Sequence, residues 1–135
     1  MMARMNTQLD HLVVMASDLD AGVAWCERTL GVTPGPGGEH PLMGTHNRLL
    51  KIAAPGYPDA YLEIIALHPH ATPQRSAPLR RWFDFDDAAL LARVATHGPR
   101  LLHWVARTPD VDAAVAAWRT LGIERGDALA ASRMT

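Results

Sequence analysis

Cysteine and unbalanced charge are both scarce in this chain, and each shortage excludes a class of protein. Cys26 is the single cysteine, so no intrachain disulfide can form, and a reducing compartment such as the cytoplasm is expected. The formal net charge is −1, with acidic and basic residues interspersed. Because a nucleic-acid groove or a polybasic membrane surface needs a local excess of positive charge, we expect neither a nucleic acid nor a membrane as partner.

Long hydrophobic runs and familiar catalytic motifs are missing as well. No stretch approaches the roughly 20 residues that span a bilayer, and the first ten residues, MMARMNTQLD, hold no apolar segment typical of a signal peptide. The sequence has no CxxC pair, no phosphate-binding glycine loop and no nucleophile–base pair, so kinase, hydrolase and thiol-redox functions have no support. What is present, 135 residues of which 48% are hydrophobic, suits one domain with a real core.

The first half of the chain predicts a strand, a helix, a weak strand and two further strands. LDHLVVM (residues 9–15) has a strand-like apolar pattern, and SDLDAGVAWCERTLG predicts a helix capped by Ser17 or Asp18 and ended by Gly31. A weak strand is expected near Val32, and HNRLLKIAA and DAYLEIIAL predict two more, joined by the turn PGYPD. The expected apolar stripe of the helix consists of Leu19, Val23, Cys26 and Leu30.

Residues 68–100 have a different texture. HPHATPQRSAP is a proline-rich connector, too polar for a core element, and FDDAALLARVATHG predicts a helix capped by an aspartate and followed by Gly98. Trp82, Phe83 and Phe85 stand just before this helix. We expect these aromatic side chains to pack the connector against the sheet.

An internal repeat is the most informative pattern. LLHWVARTPDVDAAVAAW, from Leu101, matches LDHLVVMASDLDAGVAWC, from Leu9, and places His103 where the first copy has His11. Similarity between two amphipathic helices explains the matched alanines and valines. It does not explain a histidine in the middle of an apolar strand in both copies, so the chain is predicted to contain two copies of one strand-first module.

These segments, with HPLMGTHNRLLKI and YLEIIAL, resemble the vicinal oxygen chelate superfamily and, within it, the glyoxalase-like domain branch. The resemblance implies an α+β fold of paired βαβββ modules, with the second module truncated. It divides a single glyoxalase-like domain, residues 1–135, into a first module at about 9–67, a connector with a helix at about 68–100 and a partial second module at about 101–135. It also implies assembly as a homodimer, since the short second module would leave strand edges and apolar surface uncovered.

The resemblance further implies a metal centre. The family's ligand positions fall on His11, Glu63 and His103, whereas the fourth position has no counterpart after Ile123. The expected cofactor is therefore a divalent ion (Zn, Ni, Mn or Fe), partly occupied or absent, with Glu63 doubling as the catalytic base.

The residues themselves leave two interpretations of these strands open. Glu63 is centred in the apolar strand YLEIIAL, and a carboxylate there is costly to desolvate unless it is paired or bound to a cation. Two imidazoles and a carboxylate suit a divalent metal. The alternative is an ion pair between Glu63 and a histidine, or a half-exposed sheet edge.

Polar residues before and at the start of the next strand are candidates for substrate contacts. His40, Thr45, His46 and Asn47 lie on or beside a loop, and loops at the mouth of a sheet commonly supply binding groups.

The leading function is a metal-dependent isomerase or lyase of the glyoxalase type, acting on a small oxygenated organic substrate. The metal would stabilise an enediolate or similar anion as a Lewis acid. The alternatives are an extradiol-type Fe(II) dioxygenase, which also uses two histidines and a carboxylate, and a non-catalytic module that sequesters a drug or metabolite.

Overall fold

A five-stranded mixed sheet carries the fold in the computed structural model, which describes residues 6–75 and 77–135. The strands lie in the order β2-β3-β4-β1-β5. They span Gln8–Met15 (β1), Glu39–His40 (β2), Thr45–Lys51 (β3), Tyr61–Leu67 (β4) and Arg100–Arg107 (β5). The helices are Leu19–Leu30 (α1), Ala88–His97 (α2) and Val111–Thr120 (α3). Within the described residues, no helix is long and apolar enough to cross a membrane.

The two copies of the repeat meet through their first strands. β1 runs parallel to β4 and antiparallel to β5, so it lies between the last strand of its own module and the first strand of the next. β1, α1, β2, β3 and β4 form a complete βαβββ unit, and β5 with α3 begins a second one. The predicted α+β fold of paired modules, the second of them short, is confirmed.

Helix α1 covers one face of the sheet and begins and ends where its caps predict. The Asp18 carboxylate accepts a hydrogen bond from the Ala21 amide, and Gly31 ends the helix in a left-handed conformation. The closest approach is at Gly22, where a Cβ atom would lie 2.4 Å from Ile64 Cγ2, so only glycine fits there. Leu30 of the predicted apolar stripe is 47% exposed, because the helix packs through Gly22 rather than through its last turn.

The opposite face of the sheet is divided into a covered half and an open half. Helix α2 and Phe85 cover Val13, Met15 and Ile65 in one apolar cluster. The other half of the same face, which carries His11 and Glu63, lies outside this cluster and lines a cavity. In the register of β1 with β4, His11 pairs with Tyr61 and Val13 with Glu63, which keeps the polar residues together at the open half.

One detail of the prediction is wrong. The weak strand expected near Val32 lies instead at Glu39–His40, because the edge pairing with β3 places Glu39 opposite His46. His46 and Asn47 lie in β3, the strand predicted from HNRLLKIAA, and this strand begins one residue earlier, at Thr45, which pairs with Leu67 at the far end of β4.

The second module leaves large apolar side chains exposed. Trp104 on β5 is 69% exposed, and α3 has no buried residue, with Val111 and Trp118 about half exposed. The outer edge of β5 carries no further strand in the described part of the chain. Exposed apolar surface beside an open strand edge is typical of an interaction surface.

We predict that the protein forms a homodimer through β5 and α3, because association would bury this apolar surface. Sedimentation velocity at micromolar concentration should give the mass of a dimer, and Trp104→Glu should shift the distribution toward monomer. Leu79→Glu, which alters another exposed apolar residue, on the connector, is the control and should leave the dimer intact. A compact monomer for the unaltered protein would contradict the prediction.

Candidate active site

Four buried polar side chains form a row across the open half of the sheet. They are His40 on β2, Asn47 on β3, Glu63 on β4 and His11 on β1, in the order in which those strands lie side by side. None is more than 8% exposed. Strand alternation puts Asn47 and Glu63 on one face of the sheet, and adjacency of the strands brings the side chains into contact.

Hydrogen bonds connect the row. The Asn47 amide donates from Nδ2 to Glu63 Oε2 at 2.6 Å, and the same nitrogen lies 3.3 Å from His40 Nε2. On the other side of the carboxylate, His11 Nε2 is 3.4 Å from Glu63 Oε1, and His11 Nδ1 is 2.7 Å from Asp10 Oδ2. Asn47 Oδ1 in turn accepts a hydrogen bond from the Gly38 amide at 2.8 Å. Glu63 thus has a partner on each side, and each partner is fixed by a further contact, Asn47 by Gly38 and His11 by Asp10.

The two histidines at the ends of the row have opposite pKa shifts. Burial disfavours the imidazolium form of His11, but its hydrogen bonds with Glu63 and Asp10, together with their negative charges, outweigh burial and raise its pKa above 6.5. For His40, burial dominates and lowers the pKa. A neutral His40 fits its contacts, since Nε2 can accept from Asn47 while Nδ1, 2.9 Å from Thr45 Oγ1, donates to that hydroxyl.

A cavity of about 580 Å³ lies over this row. The Tyr61 ring stacks on His11 at a centroid distance of 4.5 Å, and burial, with the charges of Glu63 and Asp10, raises its pKa to about 12. Its hydroxyl therefore stays protonated at neutral pH. The residues that line the cavity are His11, His40, Asn47, Leu49, Tyr61, Glu63, Trp82, Phe83, Val105, Ala131, Ser132 and Arg133.

The connector supplies an aromatic wall that the sequence did not predict as part of a site. Phe85 packs in the core as expected, but Trp82 and Phe83 line the cavity. Phe83 and Asp84 have φ values of 54° and 62°, a left-handed conformation that is strained for residues with a side chain. Trp82 Nε1 is buried without a hydrogen-bond partner in the described part of the chain, which leaves a donor beside the cavity.

His103 does not join the row. It lies opposite Val13, next to a β-bulge, because the pairing shifts between Val13 and Val14. Its ring contacts Phe83, with centroids 5.4 Å apart, and its Nε2 lies 3.3 Å from Asp84 Oδ2. The residue is not among those that line the cavity.

The expected metal ligands are thus only partly brought together. His11 and Glu63 meet, whereas His103 Nε2 lies 3.3 Å from Asp84 Oδ2 and makes no hydrogen bond within the described residues. Across residues 6–75 and 77–135, no three His, Cys, Asp or Glu side chains are grouped so that they could hold a metal ion. The described residues therefore contain the Glu63–histidine pair, and the three-ligand centre stays a prediction.

The expected substrate-binding residues also divide. His40 and Asn47 line the cavity, and Thr45 supports His40 from behind. His46 alternates with its neighbours on β3 and contacts His68 instead, with ring centroids 4.7 Å apart. Sequence reasoning did not assign Asp10, Tyr61 or Arg133 to the site. Asp10 and Tyr61 adjoin or share a strand face with predicted residues, whereas nothing in the local pattern marks Arg133.

Comparison with protein families identifies one match. The family model of the glyoxalase-like domain matches residues 9–135, nearly the whole chain. No curated protein matches the sequence.

Solved structures with the same fold include several methylmalonyl-CoA epimerases. The enzyme from Mycobacterium tuberculosis is 21% identical, with a TM-score of 0.57 and an alignment that covers 90% of this chain and 69% of that one. A variant of the Streptomyces coelicolor enzyme in complex with 2-nitronate-propionyl-CoA is 26% identical (TM-score 0.56; 85% and 71% covered). A methylmalonyl-CoA epimerase in complex with methylmalonyl-CoA and NH4+ is also 26% identical (TM-score 0.57; 86% and 70% covered).

We predict that His11 and His40 titrate on opposite sides of pH 6.5. His11 should stabilise the fold below pH 6.5 and lose that contribution as the pH rises through its raised pKa. His40 should stabilise the fold above pH 6.5 and lose that contribution as the pH falls through its lowered pKa. NMR titration of the assigned imidazole resonances measures both midpoints. Glu63→Gln should lower the midpoint of His11, and equal midpoints for the two histidines in the unaltered protein would refute the assignment.

Metal binding separates the expected three-ligand centre from the observed pair. A site built from His11, Glu63 and His103 would lose affinity for Zn²⁺ to a similar degree in His11→Ala and His103→Ala. Because only His11 and Glu63 meet, we expect weak binding that His11→Ala reduces about ten-fold or more and His103→Ala leaves nearly unchanged. Isothermal titration calorimetry with Zn²⁺ distinguishes these results, and equal losses in both variants would show that His103 leaves Asp84 when the metal binds.

Proposed function

Because the chain belongs to the glyoxalase-like domain family, a branch of the vicinal oxygen chelate superfamily, we propose that it is an isomerase-type enzyme that moves a proton on a small oxygenated acyl substrate. One observation carries the proposal. The Glu63 carboxylate is held between Asn47 and His11 at the floor of an open cavity that is large enough for a small molecule.

The proposed step is proton abstraction next to a carbonyl group. Glu63 takes the proton from the carbon, and the C–H electron pair moves into a carbon–carbon double bond as the carbonyl π pair moves onto oxygen, which gives an enolate. Return of a proton to the same carbon restores the carbonyl compound, so the reaction consumes no co-reactant. If the proton returns to the opposite face, the configuration at that carbon is inverted.

The neighbours of Glu63 have distinct parts in this step. Asn47 fixes one carboxylate oxygen, so the other faces His11 and the cavity. His11, held at Nδ1 by Asp10, keeps a proton at neutral pH more readily than an ordinary histidine and places positive charge where the enolate forms. The protonated Tyr61 hydroxyl is a further donor at the cavity, and the Trp82 indole N–H is buried beside it.

The ligands of the related structures suggest which compounds to test. Methylmalonyl-CoA epimerases bind methylmalonyl-CoA in one structure and 2-nitronate-propionyl-CoA in another. A nitronate is a planar anion that resembles an enolate. We therefore propose that the substrate is an acyl compound with an acidic α-hydrogen, and methylmalonyl-CoA is the first probe.

Metal-dependent chemistry at this site is a separate proposal, because it needs a different arrangement of the side chains. Lyase chemistry with a Lewis-acid metal, or Fe(II) dioxygenase chemistry, would require His103 to turn from Asp84 toward His11 and Glu63. A sequestering module would bind the probe without exchanging its α-proton. We also propose that the protein is a homodimer. A cytoplasmic location is proposed as well, because the single cysteine, Cys26, is free and buried.

We predict that the protein catalyses exchange of the α-hydrogen of methylmalonyl-CoA with deuterium from the solvent, measured by NMR. Glu63→Gln should slow the exchange by about 10²–10⁴-fold, because the amide keeps the shape but cannot accept the proton. Glu27→Gln, an exposed glutamate on α1, is the matched control. Runs with a chelator and with added Zn²⁺, Ni²⁺, Mn²⁺ or Fe²⁺ measure metal dependence. Exchange that survives in Glu63→Gln would exclude this residue as the base.

A further inference from the structure

Residues 131–135, here called the docked segment, form part of the cavity wall. The Glu39 amide donates to Met134 O at 2.7 Å and the Met134 amide donates to Glu39 O at 2.8 Å, so the segment pairs with the edge of β2 as an antiparallel bridge. Ala131, Ser132 and Arg133 then face the cavity over the polar row. This part of the cavity wall thus comes from a segment that is far from β2 in sequence.

Gly38 makes this close approach possible. A Cβ atom at this position would lie 2.5 Å from Arg133 Cγ and 2.5 Å from Met134 O, and the second contact is with backbone that cannot rotate away. Glycine is therefore required at position 38 for the docked segment to sit where it does, and the Arg133 side chain passes directly over it.

The Arg133 guanidinium is the unpaired cation of the cavity. Of the described residues that line it, Arg133 is the one arginine, and no salt bridge or hydrogen bond of its side chain occurs within residues 6–75 and 77–135. Its charge nevertheless reaches the site. Burial is the main cause that lowers the pKa of His40, and the positive charge of Arg133 lowers it further. The same charge opposes the larger rise in the pKa of Tyr61.

Charge and geometry together define what Arg133 can bind. The Glu63 carboxylate already has partners in His11 and Asn47, so Arg133 is not needed to neutralise it. A guanidinium presents a planar pair of N–H donors that match a carboxylate or a phosphate. Because Arg133 and Glu63 line one cavity of about 580 Å³, one small molecule can present an anionic group to Arg133 and a reacting carbon to Glu63.

We propose that Arg133 recognises a carboxylate of the substrate, and that the docked segment and Gly38 position it for this purpose. The inference rests on the proposed function, since it assigns the substrate class of that same site: a small carboxylic acid derivative whose acidic C–H group faces Glu63. Arg133 would select the charged compound and orient it, while Glu63 transfers the proton.

The test compares a charged probe with a neutral one of the same skeleton. Binding of methylmalonate and of its dimethyl ester is measured by calorimetry. Arg133→Met should weaken methylmalonate binding about ten-fold or more and leave the ester unchanged, because a charge-assisted contact is lost without loss of apolar surface. Arg133→Lys should retain part of the affinity. Arg125→Met removes another exposed arginine, which does not line the cavity, and should bind like the unaltered protein.

Positioning by the docked segment has its own variant. Gly38→Ala should displace the segment and reduce methylmalonate affinity nearly as much as Arg133→Met, with circular dichroism unchanged. Unchanged methylmalonate binding in Arg133→Met, or equal weakening of acid and ester, would overturn the proposal. Inorganic phosphate that competes as strongly as methylmalonate would also overturn the carboxylate assignment.

The deuterium-exchange assay separates this inference from the proposed function. Glu63→Gln should bind methylmalonate at least as well as the unaltered protein, because a negative charge leaves the cavity. Arg133-dependent binding without exchange would refute the enzymatic function and support the carboxylate site. Exchange on methylmalonyl-CoA, together with methylmalonate binding that is independent of Arg133, would support the enzymatic function and refute the carboxylate site.

Discussion

The burial of one carboxylate, that of Glu63, is the constraint around which the rest of this structure is arranged. Removing a carboxylate from water costs on the order of several kcal/mol, and the cost is offset only where partners are placed accurately. Here the partners come from two other strands: Asn47 on β3 donates to one oxygen, and His11 on β1 faces the other. The parallel register of β1 with β4 and the antiparallel register of β3 with β4 must both be correct for this to occur.

The same constraint explains why one sheet face is divided. Where the face is apolar, at Val13, Met15 and Ile65, helix α2 and Phe85 cover it. Where the face is polar, a packed helix would leave Glu63 and His11 without room for a ligand, and the chain instead surrounds an open cavity with Trp82, Phe83 and residues 131–135. The strained backbone of Phe83 and Asp84 belongs to this boundary between the covered and the open half.

Family membership indicates the fold of this protein, whereas the polar side chains of the cavity indicate its chemistry. The fold is shared with epimerases at 21–26% identity, and a fold of this kind supports more than one chemistry. The site chemistry of this chain lies in the row His40–Asn47–Glu63–His11, in which a raised and a lowered histidine pKa lie at either end of one carboxylate. Groups whose pKa values are displaced in opposite directions are typical of acid–base sites, and that pattern favours proton transfer as the chemistry.

The sequence by itself determined most of the helices and strands, and it identified the polar residues that interrupt apolar strands. Local rules suffice for these features. The alternation of side chains along a strand places His11 and Glu63 on inward faces, and Asp18 and Asp87 cap their helices. The repeat predicts a second module. Only the tertiary structure decided which of these residues meet. His103 repeats His11 in sequence but, beside a bulge in β5, it faces Asp84, and bulges leave little trace in local composition. Arg133 reaches the cavity because its neighbour Met134 pairs through its backbone with Glu39, and such long-range pairing follows from packing as a whole rather than from any local pattern.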